Sequence, residues 1–215
     1  MSKNRVYHDV SLVFSPDIVI FPGDPELQIT CHMSIKNGDV ANVSIMRYGS
    51  HTGTHIDAPR HFEESGAAVD ELALDHFIGK AKVFEVLRDS DIGVEDIKTF
   101  DIQKGDIILF KTKNSQFVED KEFRKDFAYI TPEAAGYLAD IGIKTLGFDY
   151  LSVEQYGSAD FGAHHALLSK GVVLIEGLVL KDIKPGEYDF VALPLNIRGG
   201  NGSPVRAVLI EAAQQ

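Results

Sequence analysis

Alternating or β-branched apolar runs recur along the chain at residues 6–14, 26–35, 40–48, 80–87, 106–112, 144–148, 172–176, 190–195 and 205–211. Each run predicts a strand. Helical signatures are fewer. Thr131 suits an N-cap, Pro132 the first helical position, and Glu133 the positive end of the helix dipole. That helix stops near Gly142. A second covers 162–170 and ends at Gly171, and a short third lies near 94–99. Strands come first, and helix–strand alternation follows from about Thr131. The order predicts a mixed, strand-rich α/β domain rather than a helical bundle or a pure sandwich. Residues 131–176 read as helix, strand, helix, strand, a unit that supplies parallel strands with helices packed on one face. Apolar segments continue from end to end without a repeat or a low-complexity linker. Residues 1–215 are therefore expected to form a single domain.

Charge and cysteine usage narrow the function classes. The chain carries 21 Lys and Arg against 32 Asp and Glu, a net charge of -11. Such a surface repels a phosphate backbone, so no nucleic-acid partner is expected. The longest apolar run, 171–176, is interrupted by Glu176 and falls far short of the ~18 residues of a membrane span, so no membrane partner is expected either. The first residues lack the apolar core of a signal peptide. The single cysteine, Cys31, excludes a disulfide within the chain and points to the cytoplasm. Within the strand-like run 27–33, Cys31 reads as a small core residue.

The chemistry concentrates in residues 50–62, which hold three of the eight histidines and an aspartate. Gly53, Pro59 and the β-branched Thr52, Thr54 and Ile56 oppose a helix there. The segment reads as an extended strand leading into a turn. His51, His55 and Asp57 are then separated by even numbers of residues and share one face, with Thr52, Thr54 and Ile56 on the other. A strand advances ~3.3 Å per residue, so one ion is reached by all three only if the chain bends locally. Gly49 and Gly53 supply that freedom. His61, beyond Pro59, folds back over the same pocket. Two imidazoles and a carboxylate form a ligand set for Zn²⁺, Mn²⁺ or Fe²⁺.

A second cluster lies at His164, His165 and Glu176. Glu176 ends an apolar strand, a costly place for an acid that is neither paired nor bound to metal. His164 opens a short helix and points toward the pocket, whereas His165 projects about 100° away. Three functions fit these residues. One is a metal-dependent hydrolase acting on a small molecule. Another is a non-haem iron(II) oxygenase using His55, Asp57 and His164 as a facial triad, although that chemistry does not need His51, His61 and Glu176. The third is a non-catalytic, metal-stabilised binding protein, although a closed structural zinc site is usually rich in cysteine. The glycine-rich stretch 198–206 reads as a flexible turn loop ahead of an anion-binding nest.

The string His51-Thr-Gly-Thr-His-Ile-Asp-Ala-Pro-Arg-His61-Phe62 closely resembles the His-x-Gly-Thr-His-x-Asp-x-Pro-x-His signature of the cyclase superfamily of metal-dependent hydrolases. Bacterial kynurenine formamidases and isatin hydrolases belong to that superfamily. The resemblance extends over Phe21-Pro-Gly-Asp24, Phe77-Ile-Gly-Lys-Ala81, Gly147-Phe-Asp149, His164-x-x-Leu-Leu168, Glu176-Gly-Leu178 and Gly202-Ser-Pro-Val-Arg206. It implies a swivelling β/β/α fold and hydrolysis of an amide, formamide or cyclic amide by metal-activated water. It assigns His51, His55, Asp57, His164 and Glu176 to one or two divalent ions, zinc first and manganese second. Asp57 is shared between the ions, and His61 is the catalytic acid/base. It further implies a homodimer or homotetramer. In one respect the chain departs from kynurenine formamidases, which carry a tryptophan in the early turn. Phe21 stands there, the chain has no tryptophan, and Phe21 is the expected substrate-binding aromatic.

Overall fold

The structure, a computed structural model, describes residues 5–212. Its strands are β1 (Arg5–Asp9), β2 (Gln28–Met33), β3 (Val43–Arg47), β4 (His55–Asp57), β5 (Ile78–Glu85), β6 (Asp91–Ile92), β7 (Ile107–Lys111), β8 (Tyr129–Ile130), β9 (Thr145–Phe148), β10 (Val173–Glu176), β11 (Gly186–Val191), β12 (Gly202–Pro204) and β13 (Val208–Ala212). The helices are α1 (Val94–Ile97), α2 (Pro132–Ile141) and α3 (Gly162–Leu168). Nine strands build one sheet in the order β1-β13-β11-β5-β7-β9-β10-β4-β12. The middle, β5-β7-β9-β10, is parallel, and the flanking pairs are antiparallel. The mixed, strand-rich α/β architecture is the one the residue pattern predicts.

Alternation along the strands sorts the core into two layers. Ile108 and Phe110 of β7, Leu146 and Phe148 of β9 and Leu174 of β10 face Ala134, Ala135 and Leu138 of α2 and Leu167 and Leu168 of α3. Their neighbours Ile107, Leu109, Val173 and Ile175 face the other way and join Ile56, Phe190 and Leu209. The sheet curls around this second layer, which draws on strands far apart in its order. The Thr131 side chain caps α2 by accepting the Ala134 N–H, and Gly142 ends the helix in the left-handed conformation at φ 84°.

Several sequence expectations shift. The run 50–62 is not one strand: only His55–Asp57 pair in the sheet, and residues 50–54 are a turn. The stretch 198–206 contains a sheet strand, β12, which pairs with β4. Its Gly202 is required by close approach, because a Cβ there would lie 2.5 Å from the His51 ring. Cys31 is exposed on β2, not buried. No helix among the described residues is long and apolar enough to cross a membrane.

A hydrogen-bonded lock fixes where β4 and β10 meet. The Thr54 hydroxyl donates to the Gly177 carbonyl at 2.6 Å and accepts the Leu12 N–H at 2.8 Å. Gly177 has φ 70°, and a Cβ on it would stand 2.6 Å from the Gly53 carbonyl oxygen. Backbone and steric strain therefore act together at this residue. Gly177→Ala is expected to destabilise the fold by more than about 1 kcal/mol, seen as a lower urea midpoint at unchanged slope. An unmoved midpoint would refute the lock.

Candidate metal centre and active site

Strand parity puts the chemistry on the helix-covered face. Ile56 and Ile175 point into the second layer, so His55, Asp57 and Glu176 point the other way, toward α3. Register completes the approach, because Glu176 of β10 pairs with His55 of β4. His164, the third residue of α3, comes in from the helix layer. His51 arrives by a different route. Gly53, in the left-handed region at φ 70°, folds the preceding turn back so that His51 meets Asp57 from outside the strand.

The resulting cluster is dense. His51 Nδ1 lies 2.6 Å from Asp57 Oδ1, and His55 Nε2 lies 3.3 Å from the same oxygen and 3.5 Å from Glu176 Oε2. His164 Nε2 lies 3.5 Å from Glu176 Oε1 and 3.8 Å from Asp57 Oδ2. His55, Asp57, His164 and Glu176 are all buried, and His51 is nearly so. Two triads, His51–His55–Asp57 and Asp57–His164–Glu176, each bring one ligand atom per residue within 4.8 Å of the others, and Asp57 belongs to both.

Electrostatics follow from these contacts. Burial pushes the Asp57 carboxyl up, but the charge and hydrogen bonds of His51 and His55 outweigh it and hold the group well below the usual range. Burial and the charge of Asp57 push Glu176 up, and hydrogen bonds from His164 and His55 bring it net down. Burial lowers His55, yet its bonds to Asp57 and Glu176 lift it to about 10. His164 is likewise depressed by burial and lifted to about 10 through Glu154 and Glu176. His61 differs. Burial dominates and lowers it to about 4, so its ring is neutral at pH 7. It stacks on His51 with centroids 3.8 Å apart and belongs to neither triad.

The residues fit a divalent cation. His51 Nε2 and Asp57 Oδ2 are buried without a hydrogen-bond partner among the described residues. Buried polar groups left unpaired cost on the order of 1–3 kcal/mol each. A cation would satisfy an imidazole nitrogen and a carboxylate oxygen together. The donor set, nitrogen and oxygen only, matches zinc, manganese or iron and is larger than a facial triad needs.

The other candidates separate clearly. His165 is half-exposed and pairs with Glu63 at 2.9 Å, away from both triads. Phe21 is half-buried and packs edge-on against Phe123 at 5.2 Å and, tilted, beside Tyr156 at 6.0 Å. Sequence reading missed two acids. Asp24, in the Phe21 turn, is partly buried; burial raises its pKa, and it lies within electrostatic reach of His51, His55, Asp57 and Glu176. Glu154 is buried and touches His164; its only signal in the sequence is an acid that directly follows the apolar Val153. A cavity of about 500 Å³ opens on the far side of Gly177, between residues 11–19, 114–122 and 149–151, and no member of the triads lines it.

Comparison with known proteins places this geometry in context. Residues 8–155, more than half of the chain, match the family described as "Putative cyclase". A kynurenine formamidase of Salinibacter ruber is 42% identical over 207 residues, spanning 95% of this chain and 97% of the relative. The solved structure of a predicted metal-dependent hydrolase from Bacillus stearothermophilus is 34% identical with a TM-score of 0.84, covering 96% of this chain and 98% of that one. An isatin hydrolase bound to thioisatinate shares the fold at a TM-score of 0.87 and 21% identity, over 97% and 93% of the two chains.

Asp57 is the residue both triads share, so it is the most sensitive to replacement. Asp57→Asn is expected to remove bound divalent metal almost completely after reconstitution, whereas His165→Ala keeps it. Elemental analysis of the desalted proteins checks this. Metal retained by Asp57→Asn and lost by His165→Ala would reverse the assignment.

Proposed function

This chain belongs to the cyclase family, and from that premise we propose that it is a metal-dependent amidohydrolase that releases formate from an arylformamide such as N-formylkynurenine. The observation that carries the proposal is the buried pair of triads hinged on Asp57. His51, His55, Asp57, His164 and Glu176 would hold one or two divalent ions, zinc in our reading, with manganese as the alternative. An ion held there supplies a Lewis acid for a carbonyl and lowers the pKa of water toward ~7.

The protein's own groups do the rest. His61 is neutral and lies against the metal cluster without joining either triad. Its ring nitrogen takes the proton of the attacking water as the new C–O bond forms. It then delivers that proton to the departing nitrogen as the C–N bond breaks, leaving a carboxylic acid and an amine. Phe21, in its cluster with Phe123 and Tyr156, offers an aromatic edge to an aryl substrate. The kynurenine formamidases among the relatives support the arylformamide over a cyclic amide. The lone, exposed Cys31 supports a reducing, cytoplasmic location.

The test is a panel of arylformamides, lactams and cyclic imides turned over by the zinc-loaded protein. His61→Ala is expected to keep its metal and lose about 10²–10⁴-fold in turnover on the best substrate. Turnover at the wild-type level would remove His61 from the mechanism, and metal lost along with activity would make it a ligand.

The assembly we propose is a homodimer or homotetramer. β2 and β3 form a separate two-stranded hairpin in which all five β3 residues are exposed. Ile29, Val43, Ile45 and Met46 stand open on it. A two-stranded hairpin is marginal alone in water, so a second copy is the partner that would cover these side chains. Replacing Ile45 and Met46 together by aspartate is expected to yield a monomer by light scattering. An unchanged mass would place the contact elsewhere.

A further inference from the structure

Glu154 is a buried carboxylate that the proposed chemistry does not use. It lies in the segment after β9, ten residues before His164. A single oxygen, Oε2, accepts the backbone N–H of Ala163 at 3.1 Å and that of His164 at 3.2 Å. The same oxygen lies 3.1 Å from Nδ1 of the His164 ring. The Glu154 N–H is bonded in turn to the Ser152 hydroxyl at 3.1 Å, which fixes the acid's own backbone. On its face, the His164 ring is stacked by Phe62 at 4.5 Å and 26°.

We propose that Glu154 is the positioning residue of the metal centre: it fixes the tautomer and the aim of His164, and Phe62 holds the ring in plane. An oxygen that already accepts two backbone N–H groups accepts again from the ring, so Nδ1 carries hydrogen. That leaves Nε2 as the ligand atom, and Nε2 is the atom that faces Glu176 Oε1 and Asp57 Oδ2. The same carboxylate binds the first turn of α3, so the ring and the backbone that carries it are set by one group. His55 is aimed differently, its Nδ1 lying 2.8 Å from the Gly53 carbonyl. The two histidines that bracket Glu176 therefore have unlike supports, a neutral carbonyl for His55 and a carboxylate for His164. A carboxylate makes the ring a more basic donor than a carbonyl does, and loss of such a partner typically costs 10–100-fold in metal affinity.

The inference rests on His164 holding metal, so the experiment separates the two claims. Full-length wild type, Glu154→Gln, Glu154→Asp and His164→Ala are stripped, and each is titrated with zinc against a chromophoric chelator. The glutamine amide oxygen still accepts the two backbone N–H groups, so the metal-free Glu154→Gln protein is expected to melt close to wild type. Its zinc affinity is expected to fall about 10–100-fold. Glu154→Asp keeps the charge at a shorter reach and is expected to fall between the two. A merely structural role would lower the melting temperature of the metal-free protein and leave zinc affinity unchanged. In the zinc-loaded wild type, the proton on His164 Nδ1 is expected as a slowly exchanging ring signal, absent from His164→Ala and shifted in Glu154→Gln. Zinc lost by His164→Ala but bound within about twofold of wild type by Glu154→Gln would overturn the positioning role alone. Zinc retained by both would overturn the ligand assignment and this inference with it. A wild-type ring that carries its proton on Nε2 would overturn the inference whatever the variants do.

Discussion

Two carboxylates, Asp57 and Glu176, are buried side by side, and the positive charge they require organises everything around them. Each raises the cost of the other: the charge of Asp57 works against ionisation of Glu176. Burying one unpaired charge costs several kcal/mol even after relaxation, so two adjacent ones persist only with matched partners. Here the partners are imidazoles from three separate segments: a turn, a strand and a helix. A divalent cation answers the same demand with one particle. Two polar atoms of the cluster, His51 Nε2 and Asp57 Oδ2, have no hydrogen-bond partner among the described residues.

Topology decides where such a pair can be built. α3 leads into β10 and runs back along the sheet, so the start of the helix lies at the finishing end of the strand. His164 and Glu176 therefore meet, although eleven residues lie between them. β4 is antiparallel to β10, which brings its first residue, His55, to that same end. The site thus lies where the sheet changes from parallel to antiparallel, the edge at which strand ends, a helix start and a turn converge. Gly177 is needed just past Glu176, because Gly53, which turns His51 inward, passes within the space of one methyl group.

The sequence disclosed which side chains cluster better than it disclosed the route by which they meet. His55 and Asp57 were readable from strand parity, and Glu176 from the oddity of an acid closing an apolar strand. His51 was placed with them for an incomplete reason. Even spacing suggested a shared strand face, yet it reaches Asp57 through a turn at Gly53, which frees it from the strand's fixed rise. The αβ unit from Thr131 onward was legible because capping and periodicity agree there. β12 was not, because Gly202-Ser-Pro204 has neither strand propensity nor alternation; it pairs because β4 leaves an edge beside it and His51 leaves room only for glycine. Glu154 was invisible for a related reason. Its role depends on a helix that starts eight residues later folding back onto it, and no local pattern encodes that contact.

The same pocket sorts its histidines into two kinds. His55 and His164 touch carboxylates and are held near 10; His61 has burial without a carboxylate bond and is held near 4. All three are among aromatic and imidazole rings, and burial alone would give the opposite order, because His55 and His164 are more buried than His61. Contact with Asp57 and Glu176 divides them. A cation competes for lone pairs, and in the proposed site the rings that border both carboxylates are the ones that would shed protons to bind it. His61 carries no second ring proton at neutral pH and has no carboxylate bond to hold one. In the proposed mechanism it is the ring left to take a proton during the reaction and give it back. Titratable groups whose surroundings drive their pKa values apart divide the labour of a site. Here the division is set by the position of two acids rather than by any difference among the histidines themselves.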